Sequence, residues 1–191
     1  MTVHEVKTAR LRLRPLAEAD ADALHRLWTH PAVRRYLWDD RVVSREETAA
    51  ALETSRHLFE SYGFGLWSVV SHGTLIGFGG YWFFREPPEL ELLYGIGAEH
   101  WGRGLATEVA RALVRYGFEE RGFLEVRAST DAPNVASARV LEKAGLRFDR
   151  RAVSGGLDTL HYRLSRSAFR PDGAPYALYP LQPPSAPEGD G

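Results

Sequence analysis

Charged and apolar residues alternate from Arg10 to Leu16, the period-two pattern of a half-buried strand. The period then lengthens. Asp20 stands where it can cap a helix whose apolar face is Ala23, Leu24, Leu27 and Trp28. Pro31 opens a second, short helix with Val33, Tyr36 and Leu37 facing inward. Ser44-Arg45-Glu46-Glu47 is a capping box, and its helix gathers Thr48, Ala51, Leu52, Ser55, Leu58, Phe59 and Tyr62 on one side. A strand-rich block follows. Phe64 to Ser71 and Thr74 to Phe84 flank a hairpin turn at His72-Gly73, Glu86-Pro87-Pro88 breaks the pattern, and Glu89 to Gly97 is a third strand.

The helix after Gly104 buries Leu105, Ala106, Val109, Ala110, Leu113 and Tyr116, and its outer face pairs Glu108 with Arg111 and Arg115 with Glu119. Leu124 to Thr130 is another strand. Asn134 caps a helix that ends at Gly145 in a left-handed turn, with Leu146 folding back. Strands at Arg147–Val153 and Leu157–Leu164 complete the pattern. This order of elements predicts an α+β domain, an α/β sandwich with a mainly antiparallel sheet and one parallel crossover. The domain spans residues 1–169. From Arg170 the chain turns to Pro, Gly, Ala and Ser, so 170–191 is expected to be a tail, disordered after Pro183. Tyr176, Leu178, Tyr179 and Leu181 offer the alternative that its first part docks on the domain.

Composition narrows the chemistry. The 191 residues contain no cysteine, which excludes disulfides, thiolate metal sites and a cysteine nucleophile. The net charge of −1, with both signs interspersed, gives no basic face for nucleic acid. His25 and His30 are five apart and do not align on a helix, so no metal is expected. No apolar run approaches the ~20 residues that span a bilayer, and no signal-peptide pattern is present, so no membrane partner and a cytoplasmic location are expected.

Three features can carry chemistry. In Trp101-Gly102-Arg103-Gly104-Leu105-Ala106, two glycines between a strand and a helix start expose consecutive N–H groups, an arrangement that suits a phosphate or pyrophosphate. The same run also reads as a plain tight turn, or as part of a dinucleotide fingerprint with Gly102, Gly104, Thr107 and Glu125. Glu91 alternates away from Leu90, Leu92, Tyr94 and Ile96; it is either a desolvated carboxylate fit to act as a base or a wet one on an exposed sheet face. Asn134 and Ser137 begin a helix whose start can converge on the same place.

These features occur in one order, and in it the chain resembles the GNAT superfamily of acyl-CoA-dependent N-acyltransferases. The similar stretch runs from Glu89 to Phe148, within a looser likeness from Leu11 to Leu164. The family's pyrophosphate motif, Gln/Arg-x-x-Gly-x-Gly/Ala, reads Trp101 to Ala106 here, with Trp in the first place. The run from Glu91 to Glu108 looks most like the branch containing the Rim-type ribosomal-protein N-terminal acetyltransferases, where an aromatic residue before Gly-x-Gly is usual. In the second motif Asn134, Ser137, Leu141 and Gly145-Leu146 occupy the places of Asn, a small residue, Tyr and Gly-Phe. Leu141 thus replaces the tyrosine that often protonates the leaving CoA thiolate, and Ser137 becomes the candidate acid.

The resemblance implies a twisted, mostly antiparallel sheet with a central parallel strand pair, splayed for CoA and flanked by helices. It implies acetyl-CoA as co-substrate without a metal, and a primary amine as acceptor, either a small molecule or a protein N-terminus. The N–H groups of Gly102, Arg103, Gly104, Leu105, Ala106 and Thr107 would hold the pyrophosphate, with Asn134 nearby. The backbone at Ile96 would pair with the pantetheine arm, a neighbouring N–H would steady the oxyanion, and Glu91 would take the amine's proton. A homodimer is a family-level expectation. Two other functions fit the same residues: a non-catalytic acyl-CoA-binding sensor or assembly module, and a dinucleotide-binding protein.

Overall fold

The computed structural model describes residues 4–84 and 88–181; the break at Glu86-Pro87 and the stretch after Pro183 lie outside them. The strands are β1 (His4–Thr8), β2 (Arg12–Pro15), β3 (Leu66–Ser71), β4 (Thr74–Phe84), β5 (Glu89–Ile96), β6 (Glu125–Asp131), β7 (Arg147–Ser154), β8 (Leu157–Ser165) and β9 (Tyr176–Pro180). The helices are α1 (Ala21–Thr29), α2 (Pro31–Leu37), α3 (Arg45–Tyr62), α4 (Leu105–Glu119) and α5 (Val135–Lys143). The strands form a six-stranded sheet in the order β5-β4-β3-β2-β1-β9 and a three-stranded sheet in the order β6-β8-β7. Every hydrogen-bonded strand pair among the described residues is antiparallel. That arrangement does not fit the parallel, doubly wound sheet of a dinucleotide-binding domain.

The edge strands β5 and β6 belong to different sheets yet lie side by side. Glu89 meets Arg127 at 3.8 Å and Glu91 meets Ser129 at 2.5 Å, so the two strands run parallel, joined by the α4 crossover but not by a ladder. One face of the large sheet, with Trp67, Tyr81, Leu92 and Ile96, packs on Val109, Leu113 and Tyr116 of α4. The opposite face, with Leu66 and Phe78, packs on Leu24 and Trp28 of α1 and Leu52 of α3, with Leu93 at its margin. Gly79 lets α4 come this close, because a Cβ there would sit 2.9 Å from Val109 and 3.0 Å from Leu113.

Local signals are realised as read. Ser44 and Glu47 form the capping box of α3, Pro31 opens α2, and Asn134 caps α5 by accepting from the Ser137 N–H. Gly145 makes its left-handed turn at φ 96°, and the Leu146 N–H folds back to the Leu141 carbonyl.

Two readings need correction. Asp20 does not cap α1 with its side chain. A 3-10 turn at Glu18–Asp20 brings the chain into α1 already helical, and the carboxylate turns inward instead. There it accepts two bonds from the Arg14 guanidinium at 2.6 and 2.7 Å, one from the Ser68 hydroxyl at 2.7 Å and one from the Ala17 N–H at 3.0 Å. Burial pushes the Asp20 carboxyl up, but Arg14, Ala17 and Ser68 together outweigh it and hold the carboxyl below its ordinary value. Glu108 does not pair with Arg111. It reaches the β1–β2 turn, while Arg111 pairs with Asp172 at 3.0 Å; of the two helix pairs, Arg115–Glu119 forms, at 2.8 Å. Residues 176–180, whose docking the sequence left open, form β9, a strand paired with β1 along His4↔Pro180 to Thr8↔Tyr176.

Candidate active site

The site begins at the turn between β5 and α4. Gly102 and Gly104 both adopt left-handed backbone, φ 75° and 74°, and Gly104 is the N-cap of α4. A Cβ at Gly102 would meet nothing within 4 Å, so backbone angle rather than crowding requires the glycine. The first N–H groups of α4, from Leu105 to Thr107, have no partner inside the helix and point out of its positive end. The turn is clamped from across the fold. Arg10 donates to the Arg103 carbonyl at 2.8 Å and to Glu108 at 2.7 Å through Nε, and Thr8 donates to Glu108 at 2.6 Å. Burial pushes the Glu108 carboxyl up, but Thr8 and Arg10 outweigh it and leave it below its usual value. The Trp101 side chain is half exposed, and its indole N–H donates to the Ile96 carbonyl at 2.6 Å. That is the strand end assigned from sequence to a pantetheine arm, so a guest there shares or displaces the indole.

Beyond the turn the gap between β5 and β6 opens. Asn134 and Ser137 stand on the α5 side of it, where Ser137 Oγ lies 3.0 Å from the Tyr94 hydroxyl of β5. Glu91 stands on the opposite face, the one that carries Leu93 toward α1. It is 4% exposed, which removes the reading of a wet surface carboxylate. Ser129 of β6 donates to its Oε2 at 2.5 Å, bridging the two strands where no ladder joins them. Glu91 also lines a small crevice of about 70 Å³ with Arg127, Asp149 and His161. A larger cleft of about 300 Å³ lies beside α4 and is lined by Gly104 and Thr107 of the turn and by its clamp, Thr8, Arg10 and Glu108. Asp131, at the far end of β6, is held above its usual value by burial and by the Asp39 carboxylate of the α2–α3 turn.

The structure puts Ile96 beside Trp101 of the glycine turn, Asn134 and Ser137 beside Tyr94 of the same strand, and Glu91 on that strand's other face against Ser129. Sequence reasoning missed Ser129, Tyr94 and the Arg10–Glu108 clamp. The alternation of Val126, Ala128 and Thr130 puts Ser129 on the other face of β6, but its register against β5 has no local signal. Among the described residues no cluster of three His, Cys, Asp or Glu forms a metal site, and no helix is long and apolar enough to cross a membrane.

Comparison with known proteins gives the same picture. A family model described as acetyltransferase (GNAT) domain matches residues 10–147, well over half the chain. The N-acetyltransferase YoaA of Bacillus subtilis is 31% identical over 143 residues, 73% of this chain and 81% of that protein. The FsC-acetyl coenzyme A-N(2)-transacetylase of Aspergillus fumigatus is 31% identical over 73% of this chain and 63% of its own length. An acetyltransferase structure from Agrobacterium tumefaciens superposes with TM-score 0.74 at 28% identity, covering 84% of this chain and 93% of that one. A Salmonella typhimurium acetyltransferase that modifies the N-terminal serine of ribosomal protein L7/L12 shares the fold, with TM-score 0.69 at 17% identity over 83% of this chain and 96% of that one.

Proposed function

The chain belongs to the GNAT acetyltransferase family, and on that premise we propose that it moves the acetyl group of acetyl-CoA directly to a primary amine, with Glu91 as general base and Ser137 as the acid at the leaving thiolate. The residues fit the co-substrate. The left-handed Gly102 and Gly104 and the open N–H groups of α4 suit its pyrophosphate, and the strand pair without a ladder leaves backbone groups of β5 for its amide arm. The observation that supports the reading is the burial of Glu91, a carboxylate held by Ser129 on the face of β5 opposite the α4–α5 side.

At neutral pH an amine is mostly protonated. Glu91 takes a proton from it, directly or through a water, and passes it to solvent; the free amine attacks the thioester carbonyl and gives its second proton to Glu91 as the intermediate collapses. A backbone N–H near Ile96 steadies the oxyanion. The C–S bond then breaks, with Ser137 at the departing sulphur. Much of the acceleration comes from holding the two reactants in line.

The acceptor is a protein N-terminus or a small-molecule amine, selected by α1, α2, α3 and the late strands. Incubation with acetyl-CoA and a panel of amines and short peptides, read by mass spectrometry, identifies it by a gain of one acetyl group. A second reading is favoured by Leu141, which is 1% exposed in the core where the family often has a tyrosine: a module that binds acyl-CoA without turning it over. It predicts CoA binding with no acetylated product across the panel.

A further inference from the structure

Leu141 leaves α5 without a tyrosine, yet the opposite wall of the gap supplies one. Tyr94 crosses from β5 toward α5, and its hydroxyl lies 3.0 Å from Ser137 Oγ and 3.2 Å from the Ser137 carbonyl oxygen. The two hydroxyls hold two hydrogens. One closes the contact between them. The other is engaged only as far as the longer bond to the Ser137 carbonyl, and it can turn to an anion entering between β5 and α5. A bond to an ionised acceptor is about twice as strong as one to a neutral carbonyl, so the exchange is favourable.

We propose that Tyr94 is a catalytic residue of this chain, the hydroxyl donor that, with Ser137, holds the departing CoA thiolate. This rests on the acetyl-transfer reading given above. Burial pushes the Tyr94 phenol up, the bond with Ser137 pulls it down by less, and Tyr162 adds to the upward push. The phenol therefore keeps its proton and acts by hydrogen bonding rather than by proton transfer. When the C–S bond breaks, its electron pair stays on sulphur. The thiolate leaves hydrogen-bonded to the Tyr94–Ser137 pair, the second proton of the attacking nitrogen rests on Glu91, and the released thiolate takes its proton through Ser137, which regains one from solvent. Tyr94 ends the step as it began. The role comes from β5 rather than α5, which accounts for how Leu141 is accommodated.

The test needs no acceptor. The thiol of bound CoA is titrated by its ultraviolet thiolate absorbance on the full chain, with the complex of desulfo-CoA as the blank that subtracts tyrosine ionisation. A donor to the charged form lowers a titration midpoint, so Tyr94→Phe is expected to raise that of bound CoA by about one pH unit, with the CoA dissociation constant changed less than about twofold. Ser137→Ala, which leaves the buried tyrosine in place, is expected to raise it by less. Equal midpoints in the wild-type chain and both variants would overturn the role of Tyr94 and leave the acetyl-transfer reading standing. Failure of the wild-type chain to bind CoA would overturn both.

Discussion

The two halves of the proposed site are built by different means. The donor half, from Gly102 to Thr107, is backbone: two left-handed glycines and a helix start, all within six consecutive residues. The acceptor half is side chains, and its parts come from far apart. Glu91 of β5 is held by Ser129 of β6, and Asp131 of β6 faces Asp39 of the α2–α3 turn. A backbone site can be read from a short run of sequence, because glycine's angles and the exposed N–H groups are local properties. A side-chain site depends on register between strands that no local pattern sets. The donor is therefore a property of the family, whereas acceptor choice is open to change one side chain at a time.

This contrast makes the halves separable. Glu91→Gln is expected to lower kcat about 100-fold while acetyl-CoA affinity, measured by calorimetry, stays within about twofold; an unchanged rate across pH would remove Glu91 from the mechanism. Gly104→Val is the converse. A β-branched residue at φ 74° resists the left-handed turn by about 1–2 kcal/mol, so the dissociation constant for acetyl-CoA is expected to rise about tenfold, with kcat at saturating donor little changed. If the valine variant lost kcat instead, the donor half would not be a pure binding device.

Ser129→Ala sharpens the boundary. It removes the 2.5 Å bond to Glu91, so kcat is expected to fall several-fold with donor affinity intact. A loss of CoA binding would show that Ser129 serves the gap itself rather than Glu91. The smallest effect belongs to Arg10→Ala, which releases the Arg103 carbonyl and takes the guanidinium, though not Thr8, from Glu108. The guanidinium is half exposed, so donor affinity is expected to weaken only about twofold to threefold, more at low salt than at high.

Stability has its own pH signature. The Asp20 carboxyl is held below its ordinary value in the folded chain. Its contribution is complete above the unfolded-state value near 4 and is lost as pH falls through the lower folded value. Asp20→Asn removes this contribution and leaves Arg14 facing a neutral partner. Its denaturant midpoint is expected to lie below that of the wild-type chain at pH 7, with the difference narrowing as pH falls toward 3.

What was legible in the sequence follows the same division. Caps, hairpin and C-terminal turn each depend on neighbours within a few residues, and Ser44, His72-Gly73, Asn134 and Gly145 all do what their types predict. Asp20 went the other way because the half-buried Arg14 guanidinium and the Ser68 hydroxyl, 48 positions on, compete with the helix end and win. Glu108 escaped its helical partner for Arg10, 98 positions away. Glu91 was legible as a candidate and not as a conclusion, since its burial depends on the second sheet closing beside it.

The pairing of β9 with β1 bears on how the molecule comes into being on the ribosome. The strand His4–Thr8 is made well before its outer neighbour, Tyr176–Pro180, has emerged. Until then the nascent sheet presents a bare edge of N–H and C=O groups, the kind of surface that recruits other chains. A chain stopped at Phe169 would carry that edge permanently. It would keep every residue of the site and still be expected to aggregate.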